Sequence, residues 1–280
     1  MNYGLPYKGS KNRIAQWIID QLPPAENFYD LFGGGGAITH CAMLSGKWKN
    51  FYLNDIRPGL TECFAMALQG EYKKPEYHRW ISRDEFNEIK NGITHSDCYF
   101  ALVWSFGNDM QTYIYSRDIE PAKKHAFENM DTRAIRVQNL ERVKRIENIE
   151  RTQRIENIER TKRIENIKTS CTSYDQIDIE DNSVVYCDIP YFETCTFRHC
   201  QNFDYEKFYE WCTDMARQWH GKNIKLYISE YEMPKDFTVI AKKEKFTSSA
   251  YKKRKHAVEK LFVPDGQELY GQTDLLEGLS

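Results

Sequence analysis

A chain of 280 residues is long enough to bury a full α/β core and carry one inserted subdomain, and its 18 Tyr and 15 Phe supply bulky core material. With 39 Lys and Arg against 41 Asp and Glu the net charge is −2, which excludes a chain that clings to nucleic acid over its whole surface, so any DNA-binding face must be local. No apolar run is long enough to span a bilayer, residues 1–6 hold no secretory apolar region, and the cysteines stand singly with no C-x-x-C pair; the expected setting is the cytoplasm, without membrane and without a disulfide framework.

Residues 12–21 read as a helix with Ile14, Trp17 and Ile18 on one face, stopped by Pro23 and Pro24. Asn27, Phe28, Tyr29, Asp30, Leu31 and Phe32 then read as a short buried strand that runs into four glycines, Gly33 to Gly36, and a helix-like stretch from Ala37 to Met43. Glycines at a strand-to-helix turn let a ligand approach the backbone closely, and the helix N-terminus favours acceptor groups and negative charge. A second strand at 51–53 ends in Asn54 and Asp55. That is about 20 residues further on, the offset at which an acid holds ribose hydroxyls in nucleotide-binding α/β folds. Turn and acid together point to an adenosine-containing ligand without choosing between a dinucleotide and S-adenosylmethionine.

Residues 61–68 and 84–90 read as helices, and 97–104 is apolar enough for helix or strand. Segment 105–117 collects amide, hydroxyl, aromatic and Arg groups of the kinds that read base edges and wedge into a base stack; Asn108, Gln111, Tyr113, Tyr115 and Arg117 are the candidates. Beyond Arg136 the chain copies a nine-residue unit, with starts at Arg145, Arg154 and Arg163, the last cut short at Lys168. Glu-first i,i+4 pairs such as Glu147 with Arg151 and Glu156 with Arg160 favour a helix. Yet an apolar stripe at every third position drifts around a helix of 3.6 residues per turn and cannot keep one face on a core. A charged, partly exposed helix is expected.

The apolar run Val184, Val185, Tyr186, Cys187 leads directly into Asp188, Ile189, Pro190 and Tyr191, a strand whose end delivers a carboxylate, a bare carbonyl and an aromatic face. Such a set suits an exocyclic amine. The N6 nitrogen of adenine is a poor nucleophile because its lone pair is conjugated into the ring. A carboxylate and a carbonyl that accept its two N–H hydrogens draw it towards tetrahedral geometry, while an aromatic ring stacks on the base. Taken alone, a strand-end acid before a Pro-Tyr turn is more often structural. Residues 204–219 read as a helix, 224–229 as a strand and 258–263 as a final strand. Before that last strand, the lysines at 242–245 and the group Lys252, Lys253, Arg254 flank a loop with aromatic residues, a second local candidate for DNA contact or a solvated hairpin. Cys195, His199 and Cys200 lack a fourth ligand at a typical spacing, so no metal is expected.

Taken in order, Tyr7-Lys8-Gly9-Ser10-Lys11, Asp30-Leu31-Phe32 with its glycines, Asn54-Asp55 and Asp188-Ile189-Pro190-Tyr191 resemble the motifs of the Dam-like, alpha-group adenine-N6 DNA methyltransferases. The similarity touches most of residues 1–60 and 170–265 and is weak between them. It implies S-adenosylmethionine as cofactor, held by Tyr7, Lys11, Asp30, Phe32, Gly34, Gly36 and Asp55, the glycine turn having the form Phe-x-Gly-x-Gly. It implies Asp188, Ile189, Pro190 and Tyr191 as the catalytic turn, double-stranded DNA with a flipped adenine as substrate, and target recognition in the segment that holds 105–117.

Strands alternating with helices already predict a mostly parallel, doubly wound α/β sheet. The resemblance makes this a Rossmann-like methyltransferase sheet from 1–60 and 170–265. A mainly helical inserted target-recognition subdomain follows at 61–135, then the repeat at 136–168 and a tail at 266–280. One departure stands out: the family's commonest tetrapeptide has Pro second, and here Ile189 supplies the same carbonyl without fixing φ, although Pro190 biases it towards extended geometry. Three other readings remain at this point. One is a DNA-binding protein that keeps the cofactor fold without catalysis, for which Ile189 is the only warrant. Another is a cytosine-N4 or RNA methyltransferase, and the third a nicotinamide oxidoreductase, which leaves Asp188 to Tyr191 unexplained.

Overall fold

The computed structural model describes residues 3–129, 166–190, 203–246 and 256–267. Seven strands form one sheet: β1 (Asn27–Asp30), β2 (Asn50–Asn54), β3 (Ile167–Ser170), β4 (Ser183–Cys187), β5 (Ile224–Glu230), β6 (Phe237–Phe246) and β7 (His256–Pro264), in the order β3-β2-β1-β4-β5-β7-β6. The five strands from β3 to β5 pair in parallel, and β7 enters antiparallel between β5 and β6. Strand order reverses between β1 and β4, which makes the crevice beyond their carboxyl ends the topological switch point.

Continuous burial of β1 and β4 marks them as central strands covered on both faces. Alternate residues divide between two cores, as a period of two requires. Phe28, Phe51, Leu53, Val184 and Tyr186 face one side. There they meet α1 (Ala15–Gln21), α2 (Ala37–Ser45), α3 (Leu60–Leu68) and α5 (His95–Val103). Tyr29, Leu31, Val185 and Cys187 face the other, where Phe208 and Cys212, one turn apart, bury the inner stripe of α7 (Tyr205–Gln218). The doubly wound α/β architecture is as expected.

Among the described residues assigned to the insert, four stretches are α-helix: α3, α4 (Arg83–Ile89), α5 and α6 (Glu120–Glu128). The ambiguous stretch at 97–104 is helix, started by a capping box in which Thr94 and Asp97 bond each other's backbone N–H groups. Tyr72, Tyr99, Leu102, Trp104 and Tyr113 belong to the same apolar cluster as the sheet residues Phe28 and Phe51, so this part of the chain packs on the sheet through one continuous core.

One expectation needs correction. Ile167 and Lys168, read as the end of a helical repeat, lie in β3, where they pair with Phe51 and Tyr52 at the edge left open by β2. The favourable Glu-first pairs of the repeat run out at Arg163, so local helix support ends before edge pairing begins. The remainder of the repeat lies outside the described residues. The lysines at 242–245, expected to flank a loop or a solvated hairpin, lie in β6; lysines are common on edge strands, and a bulge between Val239 and Ala241 hides the alternation.

Lys47 shows how a polar side chain closes this packing: its ammonium donates to the carbonyls of Ile19 and Leu22, each at 2.7 Å, where α1 ends. The Ile19 carbonyl also accepts the Leu22 N–H at 3.2 Å, and the Leu22 carbonyl lies past the last residue of the helix. Lys47→Met is therefore expected to cost about 1–2 kcal/mol in urea denaturation. A loss below about 0.5 kcal/mol, the scale of an ordinary surface change, would show the contact to be incidental.

Candidate active site at the switch point of the sheet

The chain leaves β1 at Asp30 and turns through the glycines into α2. Gly34 and Gly36 have φ of 50° and 70°, and a Cβ on Gly36 would stand 2.7 Å from the Phe64 ring, so both local conformation and packing demand glycine there. Gly34 N–H donates to Asp55 Oδ2 at 2.8 Å and Gly33 N–H to the Asn54 carbonyl at 2.8 Å, which ties the turn to the end of β2. Asp55 Oδ1 accepts the Arg57 N–H at 2.9 Å. Tyr7 lies over the turn, its ring 3.2 Å from where a Gly34 Cβ would be. Burial, followed by the charge of Asp55, pushes its phenol up to about 12. Tyr7, Gly34, Gly36 and Asp55 are thus brought together. Phe32 is not: its ring packs away from them, against Tyr174, Phe203 and Phe208.

Asp30 is buried beneath this turn. Its Oδ2 accepts the Thr39 hydroxyl at 2.8 Å, whereas Oδ1 is buried with no hydrogen-bond partner among the described residues. Burial raises its carboxyl to about 7; the Thr39 bond opposes this, and the charges of Asp188 and Asp55 add to it. One residue beyond Thr39, the ring of His40 is also buried, its Nδ1 accepting Gly4 N–H at 3.1 Å, and burial pushes its pKa down to about 4.

Asp188 follows β4, next to β1 in the sheet. Its Oδ1 lies 3.0 Å from Lys11 Nζ, and the same ammonium is 2.9 Å from Glu259 Oε1 of β7. Lys11 is 5% exposed and Glu259 fully buried. Burial alone would lower the Lys11 pKa, but Asp188 and Glu259 hold it above its ordinary value. Lys11 reaches this position on a short turn, Lys11–Arg13, whose Asn12 N–H is capped by the Ser10 hydroxyl. The lysine that the resemblance assigns to the cofactor is thus paired with the catalytic candidate. Ile189 is 2% exposed in the apolar cluster around α7, and the Pro190 carbonyl accepts the Tyr205 hydroxyl at 2.8 Å. Tyr191 lies outside the described residues.

Glu259, Tyr205 and Thr39 are site residues the motifs did not reveal. Glu259 left a signal: in β7 it shares a face with the core residues Leu261 and Val263, and a charge on a core-facing position needs a partner.

Segment 105–117 is a tethered hairpin rather than a free loop. Ser105 bridges Tyr113, Asp109 Oδ1 accepts from Gln111 and Thr112 N–H, and the Asn108 carbonyl accepts Lys8 N–H at 3.2 Å. Three of the DNA candidates are engaged by the rest of the protein. Tyr113 is buried, its hydroxyl donating to the Ile81 carbonyl at 2.7 Å; the Asn108 amide donates to the Leu102 carbonyl at 2.9 Å; the Tyr115 ring stacks on Trp80. Gln111 and Arg117 are exposed, as is Phe106 at the head of the hairpin. Lys252, Lys253 and Arg254 lie outside the described residues, as do Cys195, His199 and Cys200. Among the described residues no group of three His, Cys, Asp or Glu could hold a metal, and no helix is long and apolar enough to cross a membrane.

The donor set fits S-adenosylmethionine. Asp55 beside the glycine turn offers a carboxylate to ribose hydroxyls, and the unpartnered Asp30 Oδ1 offers a buried acceptor to a cationic amine.

The family model of the D12 class N6 adenine-specific DNA methyltransferases matches residues 7–263. No curated protein sequence matches the chain. Among solved structures, a conserved hypothetical protein of Streptococcus pyogenes is 11% identical, with a TM-score of 0.34 over 92% of this chain and 98% of its own. The rRNA methyltransferase AviRa from Streptomyces viridochromogenes is 11% identical, with a TM-score of 0.37 over 92% of this chain and 86% of its own. The fold assignment rests on the strand order described above.

Asp30 and His40 drive acid stability in opposite directions. The depressed pKa of His40 contributes stability that is present above pH 6.5 and lost as pH falls towards 4; the raised pKa of Asp30 contributes stability that is present below 3.8 and lost as pH rises through 7. Between about pH 7 and pH 5 each is worth about 2 kcal/mol and they nearly cancel. Asp30→Asn removes one of them, so the variant should lose about 2 kcal/mol in urea denaturation between those pH values while the parent stays about level. A parent that loses as much as the variant would refute the raised Asp30 pKa.

Proposed function

The chain belongs to the D12 class N6 adenine-specific DNA methyltransferase family, and from that membership we infer that the switch-point crevice is where the amine of an adenine in double-stranded DNA is methylated, with Asp188 and the Ile189 carbonyl as the groups that receive it. The observation that carries this reading is Asp188 itself: an acid at the end of a central strand, next to Asp30 and the glycine turn, with a buried ammonium 3.0 Å from one of its oxygens. A cation at that distance favours the carboxylate, which accepts hydrogen bonds and does not donate them.

In this reading the adenine leaves the helix, because its N6 atom cannot be reached within the stack. Asp188 and the Ile189 carbonyl accept the two N6 hydrogens and stabilise the positive charge that develops on the nitrogen, and Tyr191 stacks on the ring. S-adenosylmethionine supplies the electrophilic methyl group on its sulfonium. Asp55 takes the ribose hydroxyls, Asp30 the cationic amine, and Tyr7 closes over the glycine turn at Gly34 and Gly36. Lys11 acts on Asp188 rather than on the cofactor. Exposed Gln111 and Arg117 support base and backbone contact by the 105–117 hairpin, and exposed Phe106 supports a wedge against the stack.

Asp188→Ala is expected to leave S-adenosylmethionine affinity largely intact by calorimetry and to lower single-turnover methylation by about 10² to 10³, the loss typical of one preorganised partner of a transition state. Asp55→Ala should instead weaken cofactor binding, with the rate at saturation changed much less. Nucleoside analysis of the DNA is expected to show N6-methyladenine as the product. Near-parental methylation by Asp188→Ala would make Asp188 the wrong residue.

A further inference from the structure

Ile189 stands where a proline would fix φ near −65°, about the value that holds the following carbonyl in one orientation. Isoleucine leaves that torsion to its surroundings, yet the Ile189 carbonyl has to meet an amine hydrogen within a few tenths of an ångström. Two contacts bear on it. The Ile189 side chain is packed in the apolar cluster of Leu31, Cys187 and Phe208, and the next carbonyl, that of Pro190, accepts the Tyr205 hydroxyl at 2.8 Å. Pro190 has its own φ fixed by its ring, so anchoring its carbonyl also restrains the peptide before it, the one that carries the Ile189 oxygen.

Tyr205 is well placed to act as an anchor. It is the first residue of α7, whose cap Asp204 accepts the Lys207 N–H at 3.0 Å. Its ring meets Phe203 edge-on at 4.9 Å, and Phe203 meets Phe32, next to the glycine turn, at 5.7 Å. The hydroxyl that holds Pro190 is therefore fixed to the same framework as the cofactor turn.

We propose that Tyr205 is a positioning residue for methyl transfer: its hydrogen bond to the Pro190 carbonyl holds the Ile189 carbonyl in place, a tertiary contact that takes over what a proline at 189 does through its ring. The role rests on the assignment of Asp188 and the Ile189 carbonyl as receivers of the amine. Tyr205 touches neither cofactor nor base, and its effect is confined to the aim of the turn.

The test is single-turnover methylation of unmethylated duplex DNA by the full chain at saturating S-adenosylmethionine, with Tyr205→Phe made alone and together with Ile189→Pro. Tyr205→Phe alone should slow transfer about five- to tenfold, the scale of one lost hydrogen bond, with S-adenosylmethionine and DNA affinities within about twofold of the parent. Ile189→Pro alone keeps the carbonyl and should stay within about tenfold of the parent, and in that background Tyr205→Phe should cost less than about twofold. Equal costs in both backgrounds would overturn the proposal, as would a loss confined to cofactor or DNA affinity. If Ile189→Pro does not fold, the division of the Tyr205→Phe effect between rate and affinity decides alone: a loss in rate supports the role, and a loss in affinity only, or none, overturns it. Asp188→Ala run alongside separates the two levels. Near-parental activity there removes the catalytic assignment and this role with it, whereas an inactive Asp188→Ala beside additive Tyr205→Phe effects removes only the role of Tyr205.

Discussion

The site depends on one buried ammonium shared between two carboxylates. Lys11 comes from the N-terminal segment, Asp188 from the end of β4 and Glu259 from β7, and Nζ is within 3.0 Å of both acids. Charges of this kind are costly to take out of water unless they are paired, and removing one member of such a set typically costs about 3–5 kcal/mol because the others remain buried. The arrangement therefore does two things at once. It pins the N-terminal segment, which also carries Tyr7, across the switch point, and it keeps an acceptor-only acid at the mouth of the crevice.

The remaining charges of the crevice follow from that. Asp30, Asp55 and Asp188 lie near enough that the latter two add to the raised pKa of Asp30. Asp30, Asp55, Asp188 and Glu259 outnumber Lys11 and Arg57, an excess of acid that suits a cationic ligand and opposes a phosphate backbone. In the proposed function DNA is then held from the rim, by groups that reach past the acids. The 105–117 hairpin is the proposed contact: its base is fixed by Tyr113 and Tyr115, its link to Lys8 ties it to the segment that carries Lys11, and its residues Phe106, Gln111 and Arg117 are exposed.

On the opposite face of the sheet, the aromatic cluster of Phe32, Tyr174, Phe203, Tyr205 and Phe208 joins the glycine turn, the start of α7 and the turn at Asp188 to Pro190 into one packed unit. Phe32 thereby serves the cofactor turn from behind. Its place in the Phe-x-Gly-x-Gly pattern is accounted for by packing.

Much of the framework was legible in the residues alone, because it is encoded locally. Strand β4 is almost wholly apolar, β1 and β5 are short runs rich in β-prone residues, and Gly34 and Gly36 answer a demand for positive φ within a single turn. Other features depended on partners far away in the chain. Edge strand β3 exists because β2 offers an open ladder, and charged β6 because β7 pairs with it; neither pattern distinguishes itself from helix or loop in isolation. The same holds for side chains. A lysine, a tyrosine or an asparagine has identical chemistry whether it meets a ligand or the protein, and only packing placed Lys11 on Asp188 and Glu259, buried Tyr113 under Ile81 and set Tyr205 on the Pro190 carbonyl. Residue type and spacing determined which groups could do the chemistry; long-range contacts, whose geometry no local pattern carries, decided which of them are free to do it.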